Sequence, residues 1–230
     1  MVSFRSVSKV FAVLIVLVAG LAFAPAVSHA AILVVDDFND GLFAISVPPA
    51  GDMSVTTNTA TQDPVDLSLD PANPFGERRT VTIDGTGMGF ATAGIFGAGS
   101  LQLGTDGGPS GSVFTIAYDD FSDIDLTAGG VFDELLVQFA FIDGSADVTA
   151  FVDGVAGQTV SVSGNRVNGL ASISLASFAT DVTSVSELSF QVTTTMQASD
   201  FNINSIAIIP EPASLALLGL GTLLLVRRRR

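Results

Sequence analysis

The acidic side chains are the residues of this sequence that could do chemistry, because most other reactive types are missing between residues 31 and 209. That stretch has no histidine, cysteine, lysine or tryptophan, and its one tyrosine is Tyr118. This composition excludes Ser-His-Asp and Cys-His nucleophiles, tetrahedral zinc sites and lysine Schiff bases. Two roles remain for the carboxylates, namely an oxygen-coordinated calcium site and a paired-carboxylate glycosidase.

The segment from Asp36 to Gly41 (DDFNDG) comes directly after the first apolar run of this stretch. It does not fit an EF-hand, because Phe38 and the closing glycine stand where oxygen ligands are needed. It resembles the Asp-Phe-x-Asp-Gly opening of carbohydrate-binding-type jelly rolls, and residues 199–206 resemble their closing strand. The resemblance implies that the first and last strands lie side by side and share a structural calcium ion. The calcium ligands would then be Asp37, Asp40 and Asp200. Acids that form turns or cap strand ends are the alternative, which we favour.

Two further acidic groups allow the same interpretations. Alternation along an extended chain would place three acids of the sequence YDDFSDIDL on one face, where they could bind calcium or flank a sugar. We favour solvated loop acids for both groups. The groups are Asp119, Asp120, Asp123 and Asp125, and Asp143, Asp147 and Asp153. The adjacent Arg78 and Arg79 could hold an acidic sugar, but ion pairs with nearby aspartates are favoured.

The charge of the chain is uneven along its length. The whole sequence has 9 basic and 23 acidic residues, a net charge of −14. Most of the basic residues lie in the two terminal segments, so residues 31–209 are more acidic than the total indicates. Such a domain repels phosphate, which excludes nucleic acid as a partner. The absence of cysteine excludes a disulfide scaffold but not export, since a domain of this size can fold on core burial alone.

Residues 1–30 have the three parts of a secretory signal peptide. A positively charged start precedes an apolar run, which we expect to form a signal helix, and the segment closes on the sequence SHA. The small residues at positions 28 and 30 match the requirement of signal peptidase, so we expect cleavage between Ala30 and Ala31. An uncleaved N-terminal membrane anchor is the less favoured alternative.

Residues 210–230 also have three parts. Pro210, Glu211 and Pro212 are followed by the apolar run 213–226 and by four arginines, Arg227, Arg228, Arg229 and Arg230. As a helix the apolar run would span about 21 Å, which is short of a hydrocarbon core of about 30 Å. The arginines would stop transfer across the membrane. We therefore expect a short, weak transmembrane helix, with the prolines keeping the adjoining chain extended and unpaired.

This tail resembles the PEP-CTERM sorting signal of Gram-negative bacteria in the order and spacing of its Pro-Glu-Pro motif, glycine-bearing apolar run and arginine cluster. The resemblance implies recognition by an exosortase, a membrane cysteine protease-transpeptidase that cuts near the motif. It implies export across the inner membrane, transient anchoring through residues 213–226, and transfer to the cell surface or extracellular matrix. Such proteins are typical of bacteria that produce exopolysaccharide and form biofilms. An ordinary C-terminal anchor is the alternative.

The chain between the terminal segments predicts one β-rich domain, residues 31–209. Short apolar or alternating runs recur without a 3.6-residue period and are separated by Gly, Asp, Asn and Ser. We expect an all-β fold whose antiparallel strands form a two-sheet sandwich, in the form of a jelly roll. The expected strands are 33–35, 54–57, 80–83, 113–118, 135–142, 148–152, 159–162, 172–175, 188–192 and 201–208.

Local patterns add detail to this fold. Asp143-Gly144 and Asp153-Gly154 predict hairpin turns. Residues 58–78 contain three prolines and predict a long loop, and the glycine-dense residues 85–111 predict short strands joined by tight turns. Residues 113–118 alternate, which predicts that Phe114, Ile116 and Tyr118 share one face of their strand. The nearly continuous apolar run at residues 135–142 predicts a strand in the middle of a sheet.

These observations predict a non-enzymatic, exported surface or matrix protein that associates with exopolysaccharide. Its processing partners would be signal peptidase and exosortase, and a structural calcium ion is its one possible cofactor. A carbohydrate-binding module is the second hypothesis, although Tyr118 is the one side chain of the usual sugar-stacking types. A carboxylate-dependent glycoside hydrolase is the third and least favoured, because no carboxylate pair stands apart from the turn acids.

Overall fold

A computed structural model describes residues 32–48, 55–62, 67, 73–86, 90–96, 99–106, 111–164 and 166–210. The signal helix predicted in residues 1–30 and the short hydrophobic helix predicted in residues 213–226 both lie outside these ranges. Within the ranges described, no helix is long and apolar enough to cross a membrane.

Most of the described residues lie in strands, as the short apolar runs predicted. Among these described residues there is one short 3-10 helix, Leu175–Ser177. The thirteen strands are β1 (Leu33–Asp36), β2 (Phe43–Val47), β3 (Val55–Gln62), β4 (Arg79–Thr86), β5 (Phe90–Ile95), β6 (Leu101–Asp106), β7 (Val113–Tyr118), β8 (Phe132–Asp143), β9 (Ser145–Val152), β10 (Val155–Ser163), β11 (Arg166–Ser174), β12 (Leu188–Thr194) and β13 (Asp200–Pro210).

The strands form two antiparallel sheets. The first sheet has the order β11-β8-β13-β6-β5-β2, and β1 pairs with β13 beyond the end of β6. The second sheet has the order β10-β9-β12-β7-β4-β3. The prediction of an all-β fold with two antiparallel sheets is therefore confirmed. The first and last strands lie side by side, with Leu33 opposite Ile208, as the resemblance implied.

The hydrophobic core lies between the inner faces of the sheets, because side chains alternate in direction along each strand. Phe114, Ile116 and Tyr118 are fully buried on one face of β7, as their alternation predicted. Phe139 of β8 and Phe201 of β13 pack edge to face with 6.3 Å between ring centroids. As predicted, β8 lies inside a sheet, with β11 on one side and β13 on the other.

Two glycines mark corners where the chain crosses from one sheet to the other. Gly144 lies between β8 and β9, and Gly164 lies between β10 and β11. Both have positive φ, 113° and 105°, and the Gly164 amide donates to the Gly144 carbonyl at 2.9 Å. The hairpin predicted at Asp143-Gly144 is therefore wrong, because the flanking strands belong to different sheets. The hairpin at Asp153-Gly154 is confirmed, with φ of 48° and 76° and Val152 paired to Val155.

Two other sequence interpretations need correction. Residues 58–62 belong to β3 and pair with β4, so the loop predicted from residue 58 starts later than expected. Threonine pairs support this ladder, with hydroxyl oxygens 3.0 Å apart between Thr59 and Thr82. The glycine-dense region contains β5 and β6, as predicted, whereas β2 was not predicted at all. Its residues, FAISV, form only one alternating run of five.

Candidate functional site

The structure does not gather the three predicted calcium ligands into a metal centre. The backbone amide of Asp37 donates to Leu67, and the backbone carbonyl of Asp40 accepts from Arg79. Asp200 opens β13, where its register partners are Gly104 and Asp143. Among the residues described, no group of three or more His, Cys, Asp or Glu side chains could hold a metal ion. Calcium binding by Asp37, Asp40 and Asp200 stays a prediction.

A different acid of the same segment, Asp36, forms a buried ion pair with Arg79. Both side chains are fully buried, and Arg79 Nη1 lies 2.9 Å and 2.7 Å from the two carboxylate oxygens. The Phe38 amide and the Tyr118 hydroxyl each donate to Asp36 at 2.8 Å. These four hydrogen bonds satisfy a carboxylate that would otherwise be very costly to bury.

The rest of the Arg79 guanidinium is also satisfied. Its Nε and Nη2 donate to Gln62 Oε1 at 3.0 Å and 2.6 Å, and Nη2 donates to the Asp40 carbonyl at 2.8 Å. The Phe38 ring centroid lies 5.3 Å from the guanidinium carbon, a distance suited to a cation–π contact. Arg79 therefore fixes the turn after β1, and this cluster has a structural role.

Burial is the main influence on ionisation in this cluster. It raises the pKa of Asp36, while the Arg79 charge and the hydrogen bonds from Arg79, Phe38 and Tyr118 oppose the rise. It also raises the pKa of Tyr118 well above the ordinary value, and the negative charge of Asp36 adds to this effect. Tyr118 is fully buried, so it cannot serve as the sugar-stacking platform considered from the sequence.

The prediction that both arginines pair with aspartates is confirmed. Arg78 Nε lies 2.8 Å from Asp119 Oδ1, with side chains 34% and 47% exposed. The adjacent Arg79 pairs with Asp36 at full burial. Two neighbouring residues of one type thus form one exposed and one buried ion pair.

Most of the other predicted acids stabilise turns. Asp125 accepts from Thr127 and Gly129, and these bonds, led by the Thr127 hydroxyl, lower its pKa. Burial of Asp153 acts to raise its pKa, but hydrogen bonds from Ser186 and Glu187 outweigh it, so the pKa is lowered. Asp123 accepts from Ser184, and Asp147 accepts from Ser161, its partner across the ladder of β9 and β10. The favoured interpretation as loop acids is confirmed for Asp123, Asp125 and Asp153, but it is wrong for Asp147, which lies within a strand.

A cleft of about 310 Å³ lies on the outer face of the first sheet. The register aligns two rows of side chains across four strands, β5, β6, β13 and β8. The first row is Thr92, Gly104, Asp200 and Asp143, and the second is Gly94, Gln102, Asn202 and Phe141. Their neighbours along the strands, Ala93, Leu103 and Phe201, point into the core. The outer face therefore follows directly from strand alternation.

Glycine creates the depth of this cleft. A Cβ atom on Gly104 would lie 2.8 Å from Asp200 Oδ1 and 3.3 Å from Thr92 Oγ1. A Cβ atom on Gly94 would lie 2.6 Å from Cζ of Phe96, so this ring lies over the glycine. Phe96 is 62% exposed and Phe141 is half-buried. The two rings flank a polar floor, so the cleft presents both apolar faces and hydrogen-bonding groups.

Three carboxylates meet at this end of the first sheet without the side-chain partners that most other aspartates have. Asp200 and Asp143 are direct cross-strand neighbours, and Asp106 lies two residues beyond Gly104. Partial burial raises the pKa of Asp200, and the charges of Asp143 and Asp106 raise it further. Within the part of the chain that the structure describes, none of the three accepts a side-chain hydrogen bond. This concentration of negative charge is available to a ligand.

The sequence analysis missed the cleft, although part of its signal is visible in the sequence. Asp200 was selected, but as a calcium ligand, and Gln102, Asn202 and the two phenylalanines were not selected. Alternation in β13 places Asp200 and Asn202 on one face. Their alignment with β5 and β6 depends on which strands pair, and no local pattern encodes that.

The last strand also connects the cleft to the C-terminal segment. β13 has eleven residues and ends at Pro210, which is the register partner of Phe132. The first proline of the Pro-Glu-Pro motif is therefore paired in the sheet, against the expectation that the prolines leave this region unpaired. Proline is tolerated there because the register shifts between Ile209 and Pro210, and a bulge is one of the places where a strand accepts proline. At about 3.4 Å per residue, β13 separates Asp200 from Pro210 by about 34 Å.

Comparison with known protein families identifies the C-terminal segment of this chain. Residues 209–230 match the model of the PEP-CTERM protein-sorting motif. The chain is thus a protein with a PEP-CTERM domain, as its tail predicted. That motif implies an exosortase as processing partner, and export and surface sorting in a Gram-negative bacterium. No curated protein matches this chain.

Solved structures similar to this chain share little sequence with it. A family 11 carbohydrate-binding module from Clostridium thermocellum, in complex with a β-1,3-1,4-mixed-linked tetrasaccharide, is 10% identical, with a TM-score of 0.40 over 78% of this chain and 95% of that one. A non-crystalline cellulose specific carbohydrate-binding module is 11% identical, with a TM-score of 0.38 over 52% and 81%. An exo-beta-agarase is 14% identical, with a TM-score of 0.39 over 53% and 22%.

Proposed function

We propose that this chain is a non-enzymatic surface or extracellular-matrix protein that exosortase processing delivers to the exopolysaccharide of its host. One observation carries the proposal, which is the sorting motif at residues 209–230. Residues 1–30 supply the signal peptide and residues 213–226 the transient membrane span. We also propose that the two-sheet sandwich is a jelly roll, which the adjacency of β1 and β13 supports.

The arrangement of the last strand suits a protein displayed at a surface. The sheet continues up to Pro210, so the folded domain meets the sorting motif with no intervening linker. Processing near the motif would leave the mature domain held or released at this end. The cleft lies at the other end of β13, about 34 Å away by strand rise.

Intact mass spectrometry of the protein from its producing host tests the sorting proposal. With the exosortase present, we expect a product that starts at Ala31 and ends near Pro210. Without the exosortase, we expect the arginine tail to remain. A tail that persists in both strains would overturn the proposal. Paired substitution of Glu211 and Pro212 by alanine tests the motif itself, and Glu187→Ala is the matched control outside it.

A second candidate function is a carbohydrate-binding module, and the cleft favours it. Phe96 and Phe141 offer apolar faces beside the polar side chains of Gln102 and Asn202, which suits a sugar with both apolar and hydroxyl-bearing surfaces. Retention on isolated exopolysaccharide would support this candidate. Release of new reducing ends from a soluble polysaccharide would instead identify a glycoside hydrolase and contradict the non-enzymatic proposal.

A further inference from the structure

We propose that the cleft on the first sheet binds a glycan that carries protonated primary amines, as in a polysaccharide of unacetylated amino sugars. This inference rests on the proposed association with exopolysaccharide and names the class of sugar that the cleft selects. The acidic residues of the domain differ in how their carboxylates are engaged. The acids elsewhere are mostly engaged in turns or ion pairs, whereas those at the cleft are available to a ligand.

The charges around the cleft favour a cation. Asp200 Oδ1 lies over the floor formed by Gly104, and Asp143 is its cross-strand neighbour. Like charges placed directly opposite each other repel, so a cation that enters between them removes an unfavourable interaction as well as adding a favourable one. An acidic sugar would meet the same carboxylates and be rejected. None of the residues that line the cleft is basic.

The aromatic rings favour an organic ammonium group over a metal ion. The faces of Phe96 and Phe141 are electron-rich and attract an ammonium group that has lost part of its water shell. A hard cation such as calcium needs several oxygen ligands around one point, and no such group exists among the described residues. An amine fixed to a sugar ring can contact a carboxylate while its ring lies on a phenylalanine.

The remaining polar groups favour a sugar over a simple amine. Gln102 and Asn202 are register partners on adjacent strands, and each offers an amide donor and an acceptor to hydroxyl groups. The Thr92 hydroxyl lies at the edge of the same floor. With a volume of about 310 Å³, the cleft would hold a short stretch of a polymer. Its distance from Pro210 leaves it free to contact a matrix while the sorting end is occupied.

Calorimetric titration of the protein purified from its host tests this inference. The probes are a β-1,4-linked glucosamine tetrasaccharide and its N-acetylated counterpart, which differ in charge but not in length. We expect the amine form to bind at least about tenfold more tightly. Asp200→Asn should reduce that affinity about tenfold and leave the N-acetylated form unaffected. Phe96→Ala, at an exposed position, should weaken the binding of the amine form.

Glu187→Gln is the matched control, because it removes one negative charge outside the cleft from an exposed side chain. Its affinity for the amine form should stay within about twofold of the wild type. An equal loss in Glu187→Gln and Asp200→Asn would show diffuse attraction to an acidic protein and overturn the inference. Tight binding of the N-acetylated form that Asp200→Asn does not change would also overturn it, while leaving the association with polysaccharide intact. Thermal unfolding of each variant confirms that the fold is retained.

Discussion

Two aspartates in contrasting environments, one in the core and one at the surface, show how this acidic domain uses its charge. Asp36 is fully buried and receives hydrogen bonds from Arg79, Phe38 and Tyr118. Asp200 is exposed, has Asp143 as its cross-strand neighbour, and receives no side-chain hydrogen bond from the described residues. The first carboxylate is satisfied by the fold, and the second is left available on its surface.

The difference shows that one of the few basic residues, Arg79, is placed where burial requires a counter-charge. Within the described strands, Arg79 compensates a carboxylate that water cannot reach, which is where a missing counter-charge would be most costly. The carboxylates at the cleft remain hydrated and tolerate mutual repulsion, which is modest at a surface. A domain with so few cations can therefore concentrate negative charge at one face without losing its fold.

The largest expected effect comes from removing the buried partner of Asp36. Arg79→Met keeps much of the side-chain volume but leaves Asp36 buried without a counter-charge. We expect a loss of about 3–5 kcal/mol in the free energy of unfolding. Urea unfolding of the purified protein, monitored by circular dichroism, measures it.

Arg78→Met is the matched control, since Arg78 is adjacent in sequence and pairs with Asp119 at partial exposure. An exposed pair of this kind contributes about 0–1 kcal/mol. Equal losses in the two variants would contradict the contrast between buried and exposed pairs. Replacing the pair together, with Asp36→Leu and Arg79→Met, should recover part of the loss, because no uncompensated charge then remains.

A smaller effect is expected from the hydroxyl of Tyr118. Tyr118→Phe removes one of the donors to the Asp36 carboxylate and leaves the ring in the core. A hydrogen bond to a charged group contributes about 1.5–3 kcal/mol, so the unfolding free energy should fall by that amount. A change below about 0.5 kcal/mol would mean that the other donors satisfy Asp36 without Tyr118.

The sequence predicted the strands better than it predicted their partners. β7 and its inward face were predicted because Val113–Tyr118 alternates regularly. β2 was missed because a single run of five alternating residues is a weak signal. The corner at Gly144 was predicted as a hairpin because the Asp-Gly sequence is compatible with a hairpin turn and with a corner between two sheets. Only the long-range pairing of the flanking strands distinguishes the two.

The candidate site was less predictable than the fold for the same reason. The pairing of Arg78 and Arg79 with aspartates was expected, but the choice of Asp36 over Asp37 depends on which side of β1 faces the core. The cleft requires β5, β6, β13 and β8 to be neighbours, although β6 and β13 are far apart in sequence. In contrast, the sorting motif is a linear signal and is readable without any structure.

A third prediction concerns the floor of the cleft. Gly104→Ala would place a Cβ atom 2.8 Å from Asp200 Oδ1, a side-chain atom that can move away. We therefore expect a small loss of stability, about 1 kcal/mol or less, but a clear loss of ligand binding as Asp200 is displaced and the floor rises. Calorimetric unfolding and glycan titration separate the two. Binding that survives this substitution would place the ligand outside the cleft.

The smallest expected effect distinguishes the two kinds of aspartate by the sign of their pH dependence. The pKa of folded Asp200 lies above its ordinary value of 3.8, so the unfolded state ionises first as the pH rises. The ionisation of Asp200 therefore lowers the stability of the folded state as the pH rises from about 3.8 through the folded pKa. Below about pH 3.8 this loss of stability is absent. Asp200→Asn should stabilise the protein at pH 7, by at most about 0.5 kcal/mol, and the gain should vanish as the pH falls below the ordinary value.

Asp125 has a lowered pKa, so its contribution to stability is present at neutral pH and is lost on acidification. Asp125→Asn should accordingly destabilise at pH 7, and thermal unfolding between pH 3 and pH 7 compares the variants. If both substitutions stabilised the protein at pH 7, or both destabilised it, the result would contradict the view that Asp125 serves the fold and Asp200 the ligand.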